Sequence, residues 1–258
     1  MLAFALILAF GIGLSLGLLG SGGSIVTLPV LVYVAGVPVP AAVGMSLAIV
    51  GATSAAGAWW KQRQGLVHWR AATLFGATGI VGALVGAQFT PLLSPAALML
   101  LFAALMAVVA ARMLARRGDE AVEPLPDCRP VRCGLAGFAV GVLTGFLGVG
   151  GGFLIVPAMI LFARLPMATA VGTSLVVIAA NSLAGVAGHL RHGAFDANLA
   201  LAFLAAALLG MAGGVALGQR LSTGMLRRVF GWFVLLVAGF VLAKNWREFA
   251  PGASSDRP

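Results

Sequence analysis

The chain has 258 residues, 61% of them hydrophobic and 9% charged, with a mean hydropathy of +1.07. Soluble domains carry about 25% charged residues, so an ordinary soluble enzyme or binding module is excluded. The net charge of +9 comes from 16 basic and 7 acidic residues; the basic ones are dispersed singly or in pairs between apolar segments, which positive-inside topology explains without a nucleic-acid partner.

Met1 to Leu19 is apolar and lacks a basic n-region, so it reads as a retained membrane segment and not a signal peptide. The apolar stretch continues for about 35 residues, broken near Gly20 to Gly23 and again by Pro29. That is too long for one span of about 20 residues and barely enough for two short ones. Segments follow from about Val39 to Trp60, Ala71 to Phe89 and Ala96 to Leu114. A basic loop (Lys61, Arg63, His68, Arg70) and a turn at Pro91 and Pro95 separate them. Residues 1–115 thus read as a first membrane repeat, 116–132 as a hydrophilic cytoplasmic linker, 133–246 as a second membrane repeat and 247–258 as a disordered tail. Cys128 and Cys133 in and beside the linker read as free thiols on the cytoplasmic side.

The two membrane segments are copies of each other. GLLGSGGSIVTLPVLVYVAGVPVPAAVGMSL, from Gly17, recurs as GFLGVGGGFLIVPAMILFARLPMATAVGTSL, from Gly145, at a gapless offset of 128. Gly20, Gly22 and Gly23 fall on Gly148, Gly150 and Gly151; Pro29 falls on Pro157, Gly44 on Gly172 and Ser46 on Ser174. Internal duplication in an apolar chain marks many secondary transporters, whose substrate sites lie where the halves meet. The expected architecture is an all-α polytopic membrane protein of two homologous repeats, each opening with a Gly/Pro-broken segment, with eight full-length helices or ten counting short ones. Counting basic residues does not choose between parallel and inverted repeats, because either places twelve of sixteen inside. The broken first segment favours inversion, since inverted-repeat transporters build their sites that way.

Gly20-Ser21-Gly22-Gly23 and Gly148-Val149-Gly150-Gly151-Gly152 are the first candidate site residues. Glycine leaves helical geometry easily and exposes backbone N–H groups at the start of the next short helix. Such a terminus carries a partial positive charge and favours anions. Non-helical backbone at membrane depth is tolerated only when buried in protein or lining a cavity. The second set is Ser46, Thr173, Ser174 and Asn181, polar groups inside apolar segments that either contact a ligand or bond the preceding turn. Lys61, Arg63 and Arg191 flank these segments as topology anchors, and Arg191, between His189 and His192, is also a candidate cation for the site. No Asp or Glu lies in the middle of an apolar segment. Carriers of protons or metal cations usually need one, so the pattern suits an anion and requires no metal or cofactor.

These residues resemble the TauE/SafE family of sulfite and organosulfonate exporters. The resemblance rests on GLLGSGGSIVTLPVL and GFLGVGGGFLIVPAMI, each followed by AVG-x-S-L (Ala42 to Leu47 and Ala170 to Leu175), and runs from about Leu2 to Lys244. The second copy is nearer the family pattern; Ser21, Ser24 and Met45 depart from it in the first. The resemblance implies export of sulfite or a C2 sulfonate such as sulfoacetate across the cytoplasmic (inner) membrane by alternating access. Another small anion or a metal ion is the alternative cargo, and a homodimer is the base-rate assembly. An alternative of another class is an intramembrane serine protease using Ser21, with His189 as its base. There Leu19 replaces the first glycine of G-x-S-G, and the duplicate of Ser21 is Val149.

Overall fold

The computed structural model describes residues 2–89, 95–115, 130–147, 152–189 and 197–249. Those residues form ten α-helices: α1 Leu2–Leu19, α2 Gly22–Tyr33, α3 Val39–Arg63, α4 Trp69–Phe89, α5 Pro95–Ala115, α6 Pro130–Leu147, α7 Gly152–Leu161, α8 Met167–His189, α9 Ala197–Arg220 and α10 Thr223–Phe249. Eight have 18 residues or more, while α2 and α7 have 12 and 10. The expected break is where the sequence put it, with α1 ending just before Gly20 and α2 starting just after Ser21. Ala41–Arg63, Trp69–Gly86, Met167–Val186 and Ala197–Arg220 are long and apolar enough to cross a bilayer. The protein is an all-α, multi-pass membrane protein.

Small residues decide which helices meet. Helix α1 packs along α9 and α6 along α4, with backbones in close approach. Gly210 faces the Phe10 carbonyl and the Leu14 amide; 128 residues earlier, Gly82 faces the Phe138 carbonyl and the Val142 amide. Gly13 faces the Ala207 carbonyl, and Gly141 likewise faces Gly79. Without a hydrophobic driving force between helices in lipid, such backbone contact is how they gain van der Waals energy. The remaining major pairings are α3 with α8 and α5 with α10, so exchanging the two halves leaves the pairing pattern unchanged. Equivalent helices α3 and α8 run antiparallel: Leu47 lies on Gly185, Ser182 on Gly51 and Leu175 on Gly57.

The outer surface is apolar, with Leu84, Leu183, Leu201, Leu209 and Leu236 among its exposed side chains. Trp59, Trp60 and Trp69 are exposed at the α3–α4 end, where Arg63 sits 3.9 Å above the Trp59 ring and the Trp69 indole donates to Gln62 at 2.8 Å. Aromatic rings beside basic side chains mark a membrane–water interface. The expectation of free thiols fails for Cys133, which is disulfide-bonded; the chain's other cysteine, Cys128, lies outside the described residues. Sequence spacing alone carries no information on whether a thiol is oxidised.

Candidate functional site

The chain reverses at Gly20 and Ser21. Gly20 has φ of +78°, a left-handed conformation that disfavours any side chain. Gly23, in the first turn of α2, packs against the Ile12 carbonyl and Leu16 of α1, so α2 folds back on α1 as a tight hairpin. Such a return needs glycine twice, once for the dihedral and once for the contact.

The tip of this hairpin lies against the second polar element. A Cβ at Gly20 would stand 2.8 Å from Ser174 Oγ and 2.9 Å from Val171 Cα. The Ser174 hydroxyl is 2.8 Å from the Val171 carbonyl and 3.3 Å from that of Gly20, and divides its proton between them. Thr173 Oγ1 accepts the His68 N–H at 3.0 Å, which ties the α3–α4 loop to α8. Gly152, the first residue of α7, lies against Ser24 of α2 and Ile178 of α8. The structure therefore brings Gly20, Ser21, Gly22, Gly23, Gly152 and Ser174 to one locus, while the neighbouring Thr173 faces the α3–α4 loop. Ser46 is half-buried on α3, and Asn181 lies two turns beyond Ser174 at the α3–α8 crossing. Gly148, Gly150, Gly151 and Arg191 lie outside the described residues.

Most hydroxyls in the apolar segments bond their own helix. Thr27 donates to Gly23, Thr53 to Ile49 and Ser24 to Ser21, at 2.6 to 2.9 Å. Among the described residues four buried side-chain atoms have no partner: Ser21 Oγ at the break, Ser54 Oγ on α3, Asn181 Oδ1 on α8 and Gln64 Nε2 just after α3. Each unpaired buried polar group costs about 1–3 kcal/mol, so each calls for an explanation. Ser21 is the most telling. It is the N-cap residue of α2 and fully buried, yet its hydroxyl does not cap the helix. The unpaired Ser21 hydroxyl thus sits at the first turn of α2, which no side chain caps and which is the positive end of that helix.

The sequence did not reveal that Ser54 and Lys61 are buried. Ser54 had a signal, since it is duplicated as Ser182. Lys61 gave the opposite one, because a lysine after Trp59-Trp60 reads as an interfacial anchor. It is 4% exposed instead. Among the described residues no group of three or more His, Cys, Asp or Glu gathers to hold a metal. A surface concavity of about 650 Å³, lined by Ser222, Met225, Arg228 and Trp232 among others, shares no residue with the α1–α2 break.

Comparison with known proteins identifies the family. The family model described as "Sulfite exporter TauE/SafE" matches residues 5–241. A "Probable membrane transporter protein" of Xylella fastidiosa (strain 9a5c) is 36% identical over 243 residues, covering 91% of this chain and 92% of its own. Two from Bacillus subtilis (strain 168), YdhB and YunE, bear the same description. They are 27% and 26% identical, covering 80% and 92% of this chain and 85% and 96% of their own. No solved structure matches. These relatives are described as transporters and not as enzymes. With the match spanning both glycine clusters and reaching into all ten helices, the chain belongs to the TauE/SafE sulfite exporter family of membrane transporters.

Proposed function

We propose that this transporter exports a small sulfur oxyanion, sulfite or a C2 sulfonate such as sulfoacetate, across the cytoplasmic membrane by alternating access. One observation carries the reading: a fully buried N-cap hydroxyl, Ser21, that neither caps its helix nor bonds anything, at the head of a short helix inside the protein. A sulfonate has three acceptor oxygens and one negative charge, matching hydroxyl and amide donors at a positive helix end. Gly148, Gly150 and Gly151 supply the equivalent amides in the second half, and Ser46, Thr173, Ser174 and Asn181 shape the walls.

The halves are inverted repeats in this reading. Support comes from the antiparallel packing of α3 on α8, whose contacts Leu47–Gly185 and Gly57–Leu175 are each other's equivalents at the offset of 128. Ser21, Thr173 and Ser174 are wholly shut off from outside, as a carrier between its two open states requires. A proteolytic Ser21 would need a base against its hydroxyl, and that hydroxyl has no partner.

Thermal unfolding of the purified protein tests the cargo. Sulfite or sulfoacetate at a hundredfold excess over the dissociation constant is expected to add about 2.7 kcal/mol of stability, with no shift from divalent cations. A shift with cations alone would refute the anion reading. Ser21→Ala separates a ligand role from a folding one. Removing an orphaned hydroxyl should leave the unfolding midpoint unchanged or raised, while weakening sulfite or sulfonate affinity about tenfold. Unaltered affinity removes Ser21 from the site.

A further inference from the structure

The α8 turn from Val171 to Ser174 is held on two flanks. The α1–α2 break covers Val171 and Ser174, and the α3–α4 loop covers Gly172 and Thr173. On the second flank Lys61 is 4% exposed, although its neighbours Gln62 and Arg63 are exposed. Its Cβ and the Leu66 carbonyl press against Gly172, where a side chain would block them.

The hydrogen bonding of this corner is lopsided. The Lys61 carbonyl receives the Gln64 and Leu66 N–H groups at 3.1 and 3.0 Å. The His68 N–H is bound to Thr173, and His68 Nδ1 accepts the Ala71 N–H at 3.1 Å. Two donors remain, the Lys61 ammonium and the amide nitrogen of Gln64, Nε2, which is buried without a partner. Residues three apart in a last helical turn are neighbours. A buried ammonium costs several kcal/mol unless an anion answers it. The only acidic residue among those described is Glu248, in the last turn of α10. An ammonium beside an unpaired amide N–H is complementary to an oxyanion.

We propose that Lys61 and Gln64 form a second station for the transported oxyanion, on the other flank of the Val171–Ser174 turn from the α1–α2 break. The inference rests on the anion reading above and assigns it a fixed positive charge, which the glycine break lacks. The ion then has two stations separated by one turn of α8, and motion of that turn transfers it between them.

Sulfite and sulfoacetate flux into proteoliposomes tests this with wild type, Lys61→Gln, Lys61→Arg and Gln64→Leu. Lys61→Gln is expected to raise the half-saturating concentration at least tenfold and Gln64→Leu several-fold. Lys61→Arg, which keeps charge and donors, should stay within about threefold of wild type. Loss of flux in Lys61→Arg equal to that in Lys61→Gln would mean that packing and not charge matters, and would overturn the station. Wild-type behaviour of Lys61→Gln would overturn it too, leaving the Ser21 site intact; absence of flux in the wild type would overturn the anion reading itself. Should Lys61→Gln fail to fold, the wild type still decides. Sulfite should protect Lys61, and not the chain's other lysine, Lys244, from acetylation mapped by mass spectrometry; equal labelling with and without sulfite would refute the station.

Discussion

Gly20→Ala is expected to lower transport more than tenfold while the protein still inserts in the membrane. Two costs combine. An L-residue at φ of +78° pays roughly 1–2 kcal/mol for left-handed backbone. Its Cβ also lands 2.8 Å from Ser174 Oγ and 2.9 Å from Val171 Cα, so the break must retreat from α8. Gly65→Ala isolates the first cost, because Gly65 has φ of +70° and nothing within 4 Å of a built Cβ. Initial flux rates and unfolding midpoints of the two variants give the comparison. Gly65→Ala should lose stability and keep its rate. Gly20→Ala with a wild-type rate would mean that contact between the break and α8 is not needed for transport.

Gly210→Leu is expected to prevent recovery of folded protein. The Gly210 Cα sits where the Phe10 carbonyl and the Leu14 amide, 2.8 Å from a built Cβ, close the α1–α9 contact. Overpacking of side chains costs about 1–3 kcal/mol, and here the obstacle is backbone, which cannot change rotamer. Gly82→Leu should fail in the same way, for Phe138 and Val142 occupy the equivalent places on α6. Gly213, on the same helix as Gly210, has nothing within 4 Å of a built Cβ, so Gly213→Leu should be recovered as a monodisperse protein. Size-exclusion profiles after detergent extraction distinguish the three. A monodisperse Gly210→Leu would show that α1 and α9 tolerate separation.

The sequence carried the break because two independent marks coincided, the Gly20–Gly23 cluster and a first segment of awkward length. Segment boundaries near Val39, Phe89 and Leu114 were legible from turn residues and fall within a residue or so of the helix ends. The orientation of the halves was not legible from charge, since basic residues flank both ends of the spans; the antiparallel run of α3 along α8 was not legible either, because it is a contact between distant segments. Lys61 was illegible for a different reason. Its burial follows from the α3–α4 loop closing onto Gly172, a contact between residues 111 positions apart. The bonding state of Cys133 likewise is not set by its place in the sequence. Hydroxyl roles were only half readable: Thr27, Thr53 and Ser24 bond their own helices, whereas Ser21 and Ser54 do not. Composition treats all five alike.

The cross-pairing of α1 with α9 and α4 with α6 has a consequence for biogenesis. Helix α1 is among the first segments to leave the ribosome, and its partner, residues 197–220, is among the last. At roughly 5–20 residues per second the wait is on the order of 10–40 s. Throughout it the small-residue face of α1, with Gly13 and Gly17, is open to lipid or to another chain. Neither half closes its own helices, so a gene cut within the connector should give two fragments that are unstable apart and rescue each other when made together. The nascent first half is thus the stage at which an insertase or membrane chaperone would do most to prevent misassembly.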